Sequence, residues 1–464
     1  MRVSEKNALA RYRSFLHRLL HRLEHRLSAA LDLKPGEMPA LCWSFTFFFC
    51  LLSGYYVIRP LRDEMGIAGG VEQLQWLFSG TFLLMLAAAP LYGWLTSRFQ
   101  RRQFLPYLYY FFIINLLLFY LLFQWEAFYT WTARAFFIWT SVFNLFIVSV
   151  FWSYMADLFS NEQGKRLFGV IAAGGSLGAL IGPVLTGLLV IPLGPVRLLL
   201  VSALLLALSL LCIHQLNRWQ LAQLSKARTD TLQAMPVDEP RIGGHLLAGF
   251  QLIKESRYLQ GIALLILLYA TLSTFLYFQQ ATIVRDAFAD PAHRTLVFAG
   301  MDFAVNALTL SCQLLFTGRI VKRWGLALTL ALIPVLLGVG FVILGLFSAL
   351  TTIVVLQVLR RAGNYALMKP AREMLFLVVP REAKYKAKSV LDTVVYRGGD
   401  AISAWLYSGL SLLGLGLSGI AFLAVPLCGV WALIGRRLGQ QQERLAVELQ
   451  SNNLMRGESN ETHY

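Results

Sequence analysis

This sequence predicts an all-α membrane protein of twelve transmembrane helices in two parallel six-helix repeats, and three observations carry the prediction. The 464 residues are 57% hydrophobic and only 14% charged, with a mean hydropathy of +0.59, which leaves too little polar surface for a water-soluble fold of that length. Mostly apolar runs of about 18 to 25 residues recur along the chain, each long enough to cross a hydrocarbon core of about 30 Å as a helix. The features of the first half return in the second at nearly constant spacing. Arg62-Asp63 matches Arg285-Asp286, Gly93 matches Gly318, Lys165 matches Lys388 and Gly174-Gly175 matches Gly398-Gly399, at offsets of 223, 225, 223 and 224 residues.

Residues 1–37 form a basic segment in which Phe15, Leu19, Leu20 and Leu23 fall at helical spacing among arginines and histidines. It reads as an amphipathic helix against lipid or a partner, with a solvated basic arm as the plain alternative. A secretory signal is not expected, because the first apolar run starts late and lacks a small-residue cleavage site. The first bundle, 38–216, contains apolar runs near 39–59, 74–96, 104–124, 132–156, 167–191 and 196–216. A polar linker, 217–258, carries Pro236 and Pro240. The second bundle, 259–437, contains runs near 259–281, 295–318, 325–348, 351–379, 389–411 and 415–435. The tail, 438–464, is polar and glutamine-rich and is expected to be partly disordered. The five cysteines lie scattered in apolar runs without metal-ligand spacing and read as packing residues.

A net charge of +16 invites a nucleic-acid reading, but the cations gather in alternate loops. Arg98, Arg101 and Arg102 follow the second run, Lys165 and Arg166 the fourth, Arg319, Lys322 and Arg323 the eighth, and Arg381, Lys384, Lys386 and Lys388 the tenth. By the positive-inside rule both termini and the linker are cytoplasmic, so the partner of this charge is a lipid bilayer and not nucleic acid. Two like-oriented six-helix halves are the plan of a transporter that rocks around a site near the midplane.

A charge inside a membrane-spanning helix costs about 2.5 to 3.5 kcal/mol and marks an ion or substrate path. Arg360 and Arg361 lie roughly ten residues into the tenth run, about 15 Å deep. Successive helical residues diverge by about 100°, so at most one is expected to point straight into a central cavity. Arg361 is the one chosen, because Arg372, eleven residues on, shares its face. The two readings are contact with an anionic substrate and an ion pair with Asp302 or Asp400. Arg59 and Arg62 close the first run and either snorkel to headgroups or bind substrate. For the second reading, Pro60 bends the helix inward, Tyr55 and Tyr56 offer rings for stacking, and guanidinium forks match phosphate or carboxylate oxygens.

Asp63 and Asp286 are expected to neutralise the arginines beside them, and Arg397 stands three residues from Asp400. Lys369 and Glu373 either pair along one helix face or form a bridge that opens and closes with the access state. Asp302, on one face with Asn306, is a protonation site or a plain arginine partner. Gly174, Gly178 and Gly182 read as a close helix contact, with Ser141, Asn144 and Trp152 as packing. No nucleophile with a base and no metal-ligand cluster appears, so no catalytic residue, metal or cofactor is predicted. Gln163 to Phe168, QGKRLF, lacks the glycine-rich lead and the Ser or Thr of a phosphate-binding loop, so a nucleotide here is cargo, not fuel.

The loop GWLTSRFQRR, Gly93 to Arg102, resembles the G-x-L-x-D-R-x-G-R/K-R/K loop of the major facilitators. It has Ser97 in place of the acid and Gln100 in place of the glycine; the echo GRIVKRWG keeps Gly318, Arg323 and Gly325. A charge latch at this loop would draw on Asp157 or Glu162. The segment Phe151 to Pro183, with VIRPLRDEMG (Val57 to Gly66), KPAREM (Lys369 to Met374) and KYKAKSVLDTVVYRGGDA (Lys384 to Ala401), resembles the ATP/ADP nucleotide translocases of plastids and intracellular bacteria. The resemblance implies a facilitator-like fold, nucleotide antiport and residence in a bacterial inner membrane. It also implies phosphate-binding cations, with Arg62 at a first-helix site and Arg397 near an eleventh-helix one. Thr140 to Phe146, TSVFNLF, departs from that family in having no acid. The expected cargo is therefore an organic anion, a nucleotide first, with another phosphorylated molecule or a lysophospholipid, with or without proton coupling, as the alternative.

Overall fold

The computed structural model describes residues 33–34, 36–98, 101–230 and 246–461. Among them the secondary structure is helical, with no strand. In the first half, α1 is Met38–Ala68, α2 Leu74–Arg98, α3 Arg101–Leu122, α4 Tyr129–Leu158, α5 Asn161–Leu193 and α6 Leu198–Asp230. A short helix, α7 (Leu246–Glu255), leads into the second half: α8 is Arg257–Ala287, α9 Pro291–Leu315, α10 Thr317–Leu346, α11 Leu350–Gly363, α12 Lys369–Leu375, α13 Arg381–Val390, α14 Tyr396–Leu412 and α15 Leu417–Glu461. The apolar segment of residues 15–23 and the two prolines of the linker lie outside the described residues.

Nine helices among the described residues are long and apolar enough to cross a membrane, where the sequence predicts twelve spans. The difference falls at 74–96, 351–379 and 389–411. The first of these is the single helix α2, which is not among the nine. In the other two the backbone opens into a π turn, at Asn364–Met368 between α11 and α12 and at Leu391–Val395 between α13 and α14. Each such turn inserts an extra residue per turn and leaves pieces shorter than a span.

Local chemistry sets where several helices begin and end. Ser160 and Gln163 form a reciprocal capping box at the start of α5, Ser256 caps α8, and Asp290 caps α9 just ahead of Pro291. Gly194, at φ +78°, ends α5 in a conformation only glycine adopts freely. Two apolar cores result, one of residues almost entirely from the first half around Phe47, Leu51 and Phe151, the other centred in the second half around Leu272, Phe341 and Trp431.

The glycine stripe of α5 lets α1 approach to backbone distance. A Cβ at Gly174 would stand 2.6 Å from the Phe45 carbonyl oxygen, and one at Gly178 2.5 Å from that of Phe49. Ser202 and Thr186 then donate to the α1 carbonyls of Gly54 and Val57. Trp152 packs among Phe48, Phe151 and Phe168.

The tail departs from expectation. Helix α15 runs on to Glu461, because Gly439 seats its backbone against Ala327 and Glu443 accepts the Leu326 N–H at 2.8 Å. That N–H follows Gly325, whose φ of +74° kinks α10 and frees the group. An acceptor from α15 satisfies it, which makes the start of the tail, through Glu443, part of the fold. The linker is likewise partly helical: α6 continues to Asp230, and α7 lies against α13 with Gly249 close to the Lys386 carbonyl.

The face where α1 begins, called proximal here, is held within the first half by Glu37, which takes two hydrogen bonds from Arg166 and one from Gln163. At the opposite, distal end the halves are tied to one another. Arg294 at the start of α9 grips Glu64 near the end of α1 through two bonds of 2.7 Å, and Glu64 is wholly buried. Arg285 of α8 meets Glu72 at 2.7 Å, while Trp405 and Ser408 of α14 bond to Ser79 and Gln75 of α2.

Candidate transport site

Between the halves lies a chamber of about 1020 Å³, counting the space at its open mouth. Helices α1, α2 and α4 wall it on one side and α8, α11, Tyr365 of the first π turn and α14 on the other. Five arginines converge there: Arg59 and Arg62 from α1, Arg360 and Arg361 from α11, and Arg397 from α14.

Each guanidinium is held differently. Arg62 pairs with Asp63 at 3.0 Å and lies 3.9 Å from the centre of the Phe137 ring. Asp63 also accepts the Tyr277 hydroxyl across the seam at 3.0 Å. Arg59 stands 3.4 Å from Asp302, and Arg361 bonds the same carboxylate oxygen. Arg397 sits 3.6 Å from Asp400 and over the Tyr396 ring, and Asp400 in turn accepts from Thr274.

Among the described residues, Arg360 bonds to neutral groups alone. The Gln357 side-chain oxygen accepts from it twice, at 3.0 and 2.9 Å, and the Tyr269 and Ser273 hydroxyls accept the rest. Three carboxylates, those of Asp63, Asp302 and Asp400, thus face five guanidinium groups, leaving two positive charges in excess. In a low-dielectric wall such an excess attracts anions strongly. The polar lining of Tyr55, Ser141, Asn144, Tyr365 and Gln280 adds rings and hydrogen-bonding groups that can orient a cargo.

The sequence-predicted residues divide accordingly. Tyr55, Arg59, Arg62, Asp63, Arg361, Arg397 and Asp400 line the chamber; Tyr56 and Asp302 stand behind it, Tyr56 donating to Asn306 and lying under Arg59. Arg360 and Arg361 both reach the space, although consecutive residues were expected to diverge: Arg360 swings sideways to α8, where the Tyr269 and Ser273 hydroxyls meet it, and Gln357 of its own helix is the third neutral acceptor. Arg372 is not among the lining residues and pairs with Asp392 at 3.3 Å. The eleven-residue phase that placed it beside Arg361 assumes an unbroken α-helix, and the π turn at 364–368 rotates everything beyond it.

Lys369 and Glu373 do not pair, since Glu373 takes Lys388 from α13 instead. A lysine four residues before the acid is the weaker orientation on a helix. Asp157 is exposed at the proximal end of α4, and Glu162 pairs with Lys34. Sequence reasoning missed Gln357 and the polar face of α8. The signal was present in Tyr269, Ser273, Tyr277 and Gln280, which recur at helical spacing inside an apolar run.

The sequence model of the Major Facilitator Superfamily matches residues 41–399, well over half the chain. This chain belongs to the Major Facilitator Superfamily. As such it is a secondary transporter in a membrane. Among curated proteins, the facilitator is similar to ADP,ATP carrier protein 1 of Chlamydia muridarum, 22% identical over 334 residues that cover 65% of this chain and 63% of the relative. The Chlamydia trachomatis protein of the same name is 21% identical over 61% of this chain and 59% of its own length. The chain thus spans less than two thirds of either carrier. Among solved structures, a POT family transporter in complex with a thioalcohol-conjugated peptide superposes with a TM-score of 0.60 at 13% identity, covering 87% of this chain and 96% of that one. A bacterial homologue of the iron transporter ferroportin, in an inward-facing state, gives 0.59 at 14% identity, covering 87% and 100%. These likenesses establish the fold.

Proposed function

We propose that this facilitator exchanges organic anions across the membrane by alternating access, with nucleotides of the ADP/ATP class as the foremost cargo. The observation that carries the reading is the excess of guanidinium groups at the seam of the two halves, with Arg360 bonded, among the described residues, only to neutral acceptors. The Chlamydia carriers support the nucleotide class, and the tyrosines beside the arginines offer stacking faces for a base. Asp63, Asp302 and Asp400 act as resident counterions that hold the arginines in place while no cargo is bound. The distal ties, Glu64–Arg294 and Glu72–Arg285, close one side, so the chamber opens toward the proximal face, taken as cytoplasmic from the loop charges. Unloaded, two surplus charges resist closure of the chamber; loading neutralises them and permits the rock.

A carrier that cannot close empty is an obligate exchanger. Liposomes preloaded with unlabelled ATP should therefore take up labelled ADP or ATP much faster than empty ones. Equal rates would overturn exchange, and uptake competed by sugar phosphates but by no nucleotide would move the cargo to another phosphorylated anion. That second reading draws on α4, where Ser141 and Asn144 face the chamber and no acid does.

A further inference from the structure

Asp302 differs from the other two acids of the site. Asp63 and Asp400 line the chamber, whereas Asp302 is 1% exposed on α9, behind the wall formed by Arg59 and Arg361. One of its oxygens serves both guanidinium groups, one from each half of the molecule. The other is buried with no hydrogen-bond partner among the described residues. An acid placed to neutralise a single arginine would direct both oxygens at it, since an unmet buried acceptor is costly. Asp302 instead lowers the charge of two cargo-facing groups without reaching the cargo space itself. The inverse holds at Gln357, which is also 1% exposed. A glutamate of the same shape would meet the same two Arg360 N–H groups, yet the chain carries an amide there.

We infer that Asp302 and Gln357 set the charge of the accepted cargo. The carboxylate at 302 removes one unit from the positive excess, and the neutral amide at 357 keeps one. The inference rests on the anion reading above and specifies it: the site's preference within a graded anion series moves one step per charge altered at these buried positions.

The test uses full-length protein in liposomes preloaded with ADP, without magnesium, at fixed ionic strength. Half-maximal competing concentrations of AMP, ADP and ATP are measured against labelled ADP uptake. A unit charge about 10 Å from the cargo, at an effective dielectric of about 20, changes affinity roughly tenfold for each charge the cargo carries. Asp302→Asn should shift the ATP-to-AMP preference toward ATP by at least that factor, Gln357→Glu should shift it toward AMP by a similar factor, and Asp302→Glu should leave it in place. A purely structural role would slow all three nucleotides alike and move no ratio. Gln357→Glu keeps the shape of the side chain and gives Arg360 an acid, so it carries the test even if Asp302→Asn fails to accumulate. Unchanged ratios in a wild-type-competent assay overturn this inference alone; failure of every nucleotide and phosphorylated anion to compete in the wild type removes the anion reading with it.

Discussion

Replacing Arg294 by Gln should open the distal end of the carrier. Its guanidinium is the bidentate partner of Glu64, both bonds measuring 2.7 Å, and Glu64 is wholly buried. Removing one member of a buried pair strands the other charge, at a cost of about 3 to 5 kcal/mol. That cost applies only while the distal cleft is shut, because opening it hydrates Glu64. The equilibrium should therefore move toward distal-open states by roughly 10² to 10⁴-fold. The assay is labelling of a cysteine at Gln280, which lines the chamber and is 4% exposed, in a background lacking the five native cysteines. A membrane-impermeant maleimide applied from outside cells should label the Arg294→Gln variant far faster than its parent. The double variant Glu64→Gln, Arg294→Gln removes the stranded charge and should return labelling toward the parental rate. Equal labelling of single variant and parent, at equal amounts of protein in the membrane, would refute the gate.

Three further outcomes follow from the geometry. Gly178→Leu should abolish or sharply reduce folded protein, because its Cβ would sit 2.5 Å from the backbone oxygen of Phe49, whereas Gly409→Ala, with nothing within 4 Å, should melt like wild type in detergent. Glu443→Ala should destabilise the protein by the worth of one buried N–H acceptor, about 1 to 3 kcal/mol, read as a lower melting temperature, with Glu443→Gln retaining most of that stability. Burial raises the Glu37 carboxyl, but hydrogen bonds from Arg166, Gln163 and the Lys34 N–H outweigh it and hold the group below the usual carboxylate range. Its contribution to stability is therefore complete above the ordinary carboxylate value and lost as pH falls through the lowered one, so between neutrality and pH about 3 the wild type should lose more melting temperature than Glu37→Gln.

Much of this molecule is legible in its sequence because a bilayer imposes length and apolarity on every crossing helix. The intramembrane arginines were legible for the same reason, since a guanidinium at that depth has few roles. What escaped depends on features that pattern alone does not encode. The π turns at 364–368 and 391–395 carry no Pro or Gly that would mark them, and the first defeats the phase argument for Arg372. Gln357 looks unremarkable in its apolar run until three dimensions bring it to the Arg360 guanidinium. The tail reads as polar and loose, yet the Leu326 N–H freed by the kink at Gly325 fixes its start through Glu443. Asp302 was visible as a buried acid, but its sharing between Arg59 and Arg361 appears only once both halves are assembled.

The central claim, that the arginine chamber binds an anion, is tested most directly by equilibrium binding of labelled ATP to purified protein. Saturable binding that weakens as salt rises, is displaced by ADP, and falls at least tenfold in Arg360→Gln while that variant still melts cooperatively is the predicted result. Absence of binding by any nucleotide or phosphorylated anion, or equal affinity in wild type and Arg360→Gln, would contradict it.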